Sequence, residues 1–459
     1  MSVKIAVIGG GLGGYPAAIR AARMGASVTL FEKKELGGVC LHEGCIPTKI
    51  FLQSAEIYDK VNKASSFGVD VQGCLFNFGS VVERKKSIIN KLVNGIKTLI
   101  KSNNISYVRE EARIMSPGKI LLKGTNEVID VDKIIISTGS VPRKLPTSVL
   151  DGTDILYSED VLCSERIPDS IVIIGGGVIG VEFAQFYAKL GKRVTVMEML
   201  PGILGTEDSE IAEAIKTLLE KENGVKIITG IKVNKVKRLG EKKEVVYEKG
   251  GNIQKIIVDE VVAVTGRMPQ TAGLGLEEIG VKFDEKGIHV NEKMETNIRE
   301  IYAAGDVTGG IMLAHVASAE GECAARNAVG VPSRISYKAV PKCIYTTPEI
   351  ASVGLTEAEA RKIYDVKVGK FPFYGNGKAL IMNEPVGFVK IISDIKHGEI
   401  LGAHIVGPQA TNMISELVLA IQMEATYEEV AGSIHPHPTL SEAIMEAAMG
   451  LGEGAIHIP

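Results

Sequence analysis

The side chains of this sequence most suited to chemistry are two cysteines and two histidines. Cys40 and Cys45 stand inside Gly37-Gly38-Val39-Cys40-Leu41-His42-Glu43-Gly44-Cys45-Ile46-Pro47-Thr48-Lys49, close enough for one disulfide to close a short loop. If residues 40–45 form the first turn of a helix, its positive end favours a thiolate. Lys49 adds a cation one turn beyond Cys45. Such a pair can take up and release two electrons by thiol–disulfide exchange. Metal binding would want a C-x2-C or a second Cys/His pair at regular spacing, which the sequence does not offer. A pair of inert buried thiols is the plainer alternative. Cys74, Cys163, Cys323 and Cys343 have no comparable surroundings and read as core or incidental.

The segment His435-Pro436-His437-Pro438-Thr439-Leu440-Ser441-Glu442 holds two of the eight histidines. Thiol chemistry needs protons moved near neutral pH, and histidine is the side chain suited to exchange them there. Glu442 can reach back to one ring nitrogen and fix the tautomer. His435 and His437 are equal candidates at this point. A proline-rich turn with histidines capping a helix is the plain reading of both.

These groups need a frame, and the chain supplies one twice. Residues 3–32 read as strand, glycine turn, helix, strand, and residues 170–198 repeat the pattern. The turns are Gly9-Gly10-Gly11-Leu12-Gly13-Gly14 and Gly175-Gly176-Gly177-Val178-Ile179-Gly180, and Glu32 and Glu198 each fall 23 positions after the first glycine of their turn. This is the α/β pattern of a Rossmann-like dinucleotide site. Gly9 and Gly175 make the tight turn, Gly11 and Gly177 let backbone approach a pyrophosphate, and Gly14 and Gly180 let helix and strand pack. The helix N-terminus favours the anion, and Glu32 and Glu198 are placed for ribose hydroxyls. A carboxylate at Glu198 repels a 2′-phosphate, so NAD is expected there rather than NADP. A glycine turn that only packs a helix on a sheet is the alternative for either copy, and far less plausible for both.

Elsewhere the pattern predicts helices over 81–101, 209–221, 315–329, 412–424 and 440–449. Strands are expected over 301–306, ending in Asp306, and over 366–373, 387–393 and 399–406. Residues 141–150 read as a connection between domains, and from about residue 336 the character becomes that of a separate α+β domain. At 459 residues the chain suits about three domains. Lys plus Arg number 52 against 55 acidic residues, a balance that argues against a nucleic-acid partner. No apolar run approaches the roughly 18 residues of a membrane span. The N-terminus goes straight into a strand, so no secretion and a cytoplasmic location are expected. In that reducing compartment the Cys40–Cys45 pair is redox-active rather than structural.

Gly38-Val39-Cys40 with Gly44-Cys45-Ile46-Pro47-Thr48-Lys49, the two glycine fingerprints, Ala304-Gly305-Asp306 and His435-Pro436-His437-Pro438-Thr439 together resemble the pyridine nucleotide–disulfide oxidoreductases, in order along nearly the whole chain. The resemblance is greatest to members that oxidise protein-bound dihydrolipoamide to lipoamide. It implies FAD and NAD as cofactors, no metal, a homodimer, and a lipoyl domain or lipoyl-carrier protein as partner. It also implies an FAD-binding domain at 1–145, an NAD-binding domain at 146–265, the rest of the FAD and central domain at 266–335, and a C-terminal dimerisation domain at 336–459. His437 is then the base and Glu442 its orienter, acting on the other subunit of the dimer. Lys49 and Glu182 resemble the pair near the reactive edge of the flavin. Asp306 resembles the acid at the FAD ribityl and phosphate region, with Met312, Leu313 and Ala314 beside the ring. Thr138-Gly139 and Gly266-Arg267 resemble the strand-end turns of the FAD and NAD domains. Val39, His42 and Val316 stand where Thr, Asn and Lys are common in the family, and none of the three removes a reacting group. A glutathione-type reductase would favour NADP, against which Glu198 counts. A mercury-type reductase would carry a cysteine pair near its C-terminus, and residues 453–459 have none. A non-catalytic flavoprotein subunit is the rival of another class.

Overall fold

The computed structural model describes residues 2–458. Five parallel strands form the first sheet, in the order Ile301–Ala303, Lys133–Ile136, Lys4–Ile8, Ser27–Phe31, Ser106–Val108. The second sheet has the same plan, with Lys226–Ile228, Arg193–Met197, Ser170–Ile174, Glu260–Ala263 and Leu156–Tyr157, again all parallel. In each, the strand feeding the glycine turn lies beside the strand that leads to the acid. A strand from further along the chain flanks its other side. Helices on both faces of a parallel sheet demand unbroken apolar runs, and Ser170–Ile174 is buried along its whole length.

Each sheet also carries a three-stranded antiparallel meander, Ala112–Ser116 with Lys119–Leu122 and Val128–Asp130 in the first body, and Ile231–Leu239 with Lys242–Lys249 and Asn252–Val258 in the second. The second body is inserted before the last strand of the first. The chain leaves along Ser140–Pro142 and returns along Arg267–Pro269, paired antiparallel. Residues expected as a plain connection therefore begin as a strand, because two passages side by side satisfy each other's backbone groups.

The C-terminal body is a five-stranded antiparallel sheet, Lys342–Ile344, Glu349–Gly354, Ile400–Gly407, Phe388–Asp394, Val366–Pro372, packed with helices Ala410–Gln422 and Glu442–Met449 around its own core. Another core joins all three bodies. Phe51, on the helix Cys45–Asn62, stacks on Phe186 of the helix Val178–Lys189 with ring centroids 5.4 Å apart, and Ile344 and Phe388 of the C-terminal sheet share the cluster. Truncating a buried Phe such as Phe51 to Ala costs about 3–5 kcal/mol. The helix that begins at Cys45 is thus held by apolar packing to the whole molecule.

Candidate active site

The two glycine turns close in the same way. A Cβ on Gly9 would strike the Ser137 carbonyl and one on Gly14 the Gly9 carbonyl. In the second turn a Cβ on Gly175 would lie 2.5 Å from the Val264 carbonyl oxygen, and one on Gly180 would strike the Gly175 carbonyl. Glu32 accepts hydrogen bonds from the Gly10 and Lys34 amides at 2.8 and 2.7 Å. Glu198 accepts them from Gly176 and Leu200 at 2.6 and 2.8 Å. Each acid is thereby fixed beside its turn, while Arg193 begins the strand that ends just before Glu198 and lies at its far end. Gly177 stands open, and Gly11 leaves a Cβ-sized space beneath the loop that covers it. A Cβ on Gly11 would meet only Gly38 Cα at 3.7 Å, and one on Gly177 nothing within 4 Å. The helices that follow, Gly14–Arg23 and Val178–Lys189, have no side-chain cap, so their leading amides can receive an anion.

From Glu32 the chain folds back over the first turn. The Gly37 amide donates to the Gly10 carbonyl at 2.8 Å. Gly38, at φ +61°, lies so close that a Cβ there would be 2.7 Å from Gly11 Cα. Only glycine meets both conditions. One helical turn was expected over residues 40–45. The structure instead ends one helix at Gly38–His42 and begins the 18-residue helix at Cys45. The cause is Gly44, whose Cβ would be 3.0 Å from the Val39 carbonyl oxygen and 3.2 Å from Cys40 Cα. That break presses the loop onto Cys40 and leaves Cys45 at a helix N-terminus. His42 binds the Leu36 carbonyl through Nε2 at 2.9 Å.

Both cysteines are thiols in this structure. Hydrogen bonding from the Cys40 thiol pulls the pKa of Cys45 down to about 7, with burial opposing and the Lys49 ammonium helping. The same hydrogen bond and burial push Cys40 far up. The reduced pair therefore keeps its proton on Cys40 and places its charge on Cys45. Lys49 contacts both oxygens of Glu182 at 2.9 Å and sits 4.5 Å from the centre of the Tyr345 ring. Glu182, fully buried on the helix of the second turn, also accepts from the Tyr345 amide at 2.9 Å. The Lys49–Glu182 pair thus joins the cysteine helix to the second body. Tyr345 was not anticipated, since no motif surrounds it in the sequence.

At the end of the first sheet, Ser140 donates to Asp306 at 2.5 Å, and Arg267 donates to the Ser140 hydroxyl and carbonyl at 2.7 and 2.9 Å. Thr138 donates to the Gln270 carbonyl at 2.6 Å, and the Gln270 amide to Gly139 at 2.9 Å. Arg267, expected with Gly266 at the turn of the second body, sends its guanidinium back to this first-body network; the backbone that meets Gly175 is Val264. Ala314 opens the helix Ala314–Ala328, which lies on the first glycine helix, with Ser318 donating to the Leu12 carbonyl at 2.9 Å. Glu320, also unanticipated, accepts from the Gly305 amide at 2.7 Å and from Tyr337 at 2.6 Å, so it props the residue before Asp306.

The structure separates the two histidines that sequence left equal. His435 has both ring nitrogens engaged, by the Ser433 carbonyl and by Glu416, each at 2.9 Å, and its side chain is 6% exposed. His437 engages only Nδ1, with Glu442 at 2.9 Å, and is 79% exposed. Its Nε2 faces outward with a lone pair to offer. Glu442 accepts also from the Thr439 amide at 2.8 Å. Burial works against its charge, yet that amide and the His437 ring hold its carboxyl below the ordinary range.

Known proteins resemble this chain along nearly its whole length. Residues 3–321 match the family model described as pyridine nucleotide-disulphide oxidoreductase, and residues 340–448 match the dimerisation domain of that family. A dihydrolipoyl dehydrogenase of Bacillus subtilis (strain 168) is 44% identical over 468 residues, spanning 99% of this chain and 98% of its own length. The dihydrolipoyl dehydrogenase of Thermus scotoductus is 43% identical, with 98% of each chain covered. Of solved structures, LpdA from Mycobacterium tuberculosis superposes with a TM-score of 0.90 at 28% identity, covering 98% of this chain and 99% of that one. The HOCl-induced flavoprotein disulfide reductase RclA from Escherichia coli, as its Cu(II) complex, gives 0.88 at 28% identity with the same coverage.

Proposed function

This chain belongs to the pyridine nucleotide-disulphide oxidoreductase family, and from that premise we propose that it is a dihydrolipoyl dehydrogenase, oxidising protein-bound dihydrolipoamide to lipoamide with FAD and NAD+. The residues fit both groups, because Gly177 stands open and Gly11 leaves a Cβ-sized space, where a pyrophosphate can approach. Gly9, Gly11, Gly14, Glu32, Thr138, Gly139, Asp306 and Ala314 would hold FAD, with Arg267 bracing Ser140 behind Asp306 and the Gly266 carbonyl accepting from the Arg143 amide. Gly175, Gly177, Gly180 and Glu198 would hold NAD, and Lys49 with Glu182 stands between the two. When bound, FAD accepts the electron pair of the dithiol and NAD+ carries it off as hydride.

Cys40 and Cys45 begin the cycle as a disulfide. His437 Nε2 takes a proton from one substrate thiol while Glu442 holds Nδ1–H. The substrate thiolate attacks Cys40 Sγ, the S–S bond breaks, and Cys45 leaves as a thiolate. The second substrate thiol attacks the substrate sulfur of the mixed disulfide and passes its proton to the departing Cys40, closing lipoamide, while His437 keeps the first proton. That yields the reduced pair, with the proton on Cys40 and the charge on Cys45. The carrying observation is the place of the pair: Cys45 opens an 18-residue helix one turn before Lys49, and Lys49 is held on Glu182 at 2.9 Å.

The working unit is a homodimer in which His437 serves the partner subunit's cysteine pair. Ile434, 99% exposed, and the exposed Leu419 and Met423 give the C-terminal body an apolar face that needs cover. A lipoyl domain or lipoyl-carrier protein brings the substrate, in the cytoplasm. No helix among the described residues is long and apolar enough to cross a membrane.

Purified protein given dihydrolipoamide and NAD+ should form NADH. His437→Gln should slow this by roughly 10²–10⁴-fold, the usual worth of a general base, and His435→Gln by far less. Equal losses in the two variants would take the role of base away from His437.

A further inference from the structure

Lys390 is 1% exposed in the middle of Phe388–Asp394, a strand buried along its whole length. Its ammonium reaches three carboxylates of different origin: Asp208 at 3.0 Å, Glu210 at 2.8 Å and Glu357 at 2.7 Å. Burial opposes the charge, but Glu210, Glu357 and Asp208 push its pKa up to about 12. Around it, Ser352 donates to Glu207 at 2.7 Å, the Glu357 amide to Asp208 at 3.3 Å, and Lys370 to Glu210 at 2.9 Å. Every one of these contacts crosses or abuts the seam between residues 207–210 of the second nucleotide body and the C-terminal sheet. A buried ion cluster of this kind adds little stability over apolar packing of the same volume, so its value is geometric.

What it fixes is visible in the chain just before it. Residues 199–208 run from the acid Glu198 to the first carboxylate of the cluster. Near its start, the Leu200 amide donates to Glu198 at 2.8 Å. In its middle, Leu204 is buried at φ +51° and its amide donates to the Gly176 carbonyl at 2.9 Å. A Cβ on Gly176 would be 2.7 Å from Ile203 and 3.1 Å from Glu198. The loop is therefore packed against the second glycine turn at one end and pinned by Lys390 at the other. A left-handed leucine persists only where both ends over-determine it.

We infer that the Lys390–Asp208–Glu357–Glu210 cluster is a positioning joint that holds the Glu198 loop in its NAD-binding shape from the C-terminal body. The inference rests on the proposed function, because it concerns the site assigned to NAD. Lys390 touches no substrate; it acts through the loop.

The test uses the FAD-loaded dimer with NADH as probe. Asp208→Asn/Lys390→Met removes the central charge pair together, keeps an Asn able to cap the helix Ser209–Lys221, and leaves Glu210 and Glu357 with Lys370 and Arg361. NADH affinity, read by equilibrium titration, should fall roughly fivefold or more, the range of coupling between sites. KM for NAD+ should rise in step, while KM for dihydrolipoamide, FAD content and the thermal midpoint stay near wild type. An unchanged NADH affinity overturns the joint. So does a loss spread over FAD content, thermal midpoint and both KM values, which would make the cluster a prop of the fold alone. Wild-type protein that fails to bind NADH at all defeats the proposed function, and the joint with it.

Discussion

The two glycine turns share strand order, glycine contacts and an acid gripping the turn, yet one is roofed and the other stands open. Over the first, Gly37 bonds to Gly10 and Gly38 presses on Gly11, so the redox loop covers the turn directly. Over the second, Leu204 makes the equivalent bond to Gly176, but the loop then turns away toward Asp208 and nothing lies within 4 Å of a Cβ at Gly177. The same turn thus serves two kinds of occupant. A roof made of the reacting loop suits a resident group that must stay against the cysteines, and an open turn suits a nucleotide that comes and goes each cycle.

The hardest blow to this contrast should come from Gly38→Ala. Left-handed strain alone costs about 1–2 kcal/mol, and the added methyl would meet Gly11 Cα at 2.7 Å. The purified variant should lack FAD colour while its second body still binds NADH; a fully yellow, active variant would show that the roof is dispensable. Gly177→Ala sharpens the other side. Its methyl meets no protein atom, so the thermal midpoint should hold, while NADH binding weakens by about 1–3 kcal/mol, roughly 5–150-fold, if the pyrophosphate lies there. Unaltered binding would place the nucleotide elsewhere. A milder pair follows from the acids. Glu32→Gln should loosen FAD and Glu198→Gln should loosen NADH, each by about tenfold and each sparing the other, as loss of one charged hydrogen bond does. Dialysis for FAD and titration for NADH would reveal any crossing of effects.

The smallest effect concerns pH and separates the two sides electrically. Cys45 has its pKa lowered to about 7, so the thiolate of the reduced pair should build as pH rises through about 7 and vanish below it. Lys49→Met removes a cation that favours that thiolate, so the midpoint should move up. NADH binding at the open turn should stay flat over the same range, as measured by titration at several pH values.

The frame was legible in the residues, though not the contrast between its two turns. The glycines, Glu32 and Glu198 repeat at one spacing, and helices expected at 209–221, 315–329, 412–424 and 440–449 lie within two residues of Ser209–Lys221, Ala314–Ala328, Ala410–Gln422 and Glu442–Met449. Apolar period and glycine position are local properties, and they carried that far. What escaped depends on contacts distant in sequence. The helix break at Gly44 follows from how close the loop comes to Cys40, which spacing alone does not state. His435 is set apart from His437 by burial and by Glu416, nineteen residues upstream of His435. Tyr345 matters because its amide finds Glu182, and Arg267 because it finds Ser140 across the crossing strands. Nothing in the strand expected at 387–393 marks Lys390 as interior; it is buried where the strand meets carboxylates of residues 208 and 210 from another body.

One measurement bears most directly on the chemistry. FAD-loaded Cys45→Ser protein, mixed anaerobically with dihydrolipoamide, should remain yellow through a time in which wild type is fully reduced, a loss of at least about 10³-fold. Reduction of the variant at the wild-type rate would contradict the assignment of electron transfer to the Cys45 sulfur.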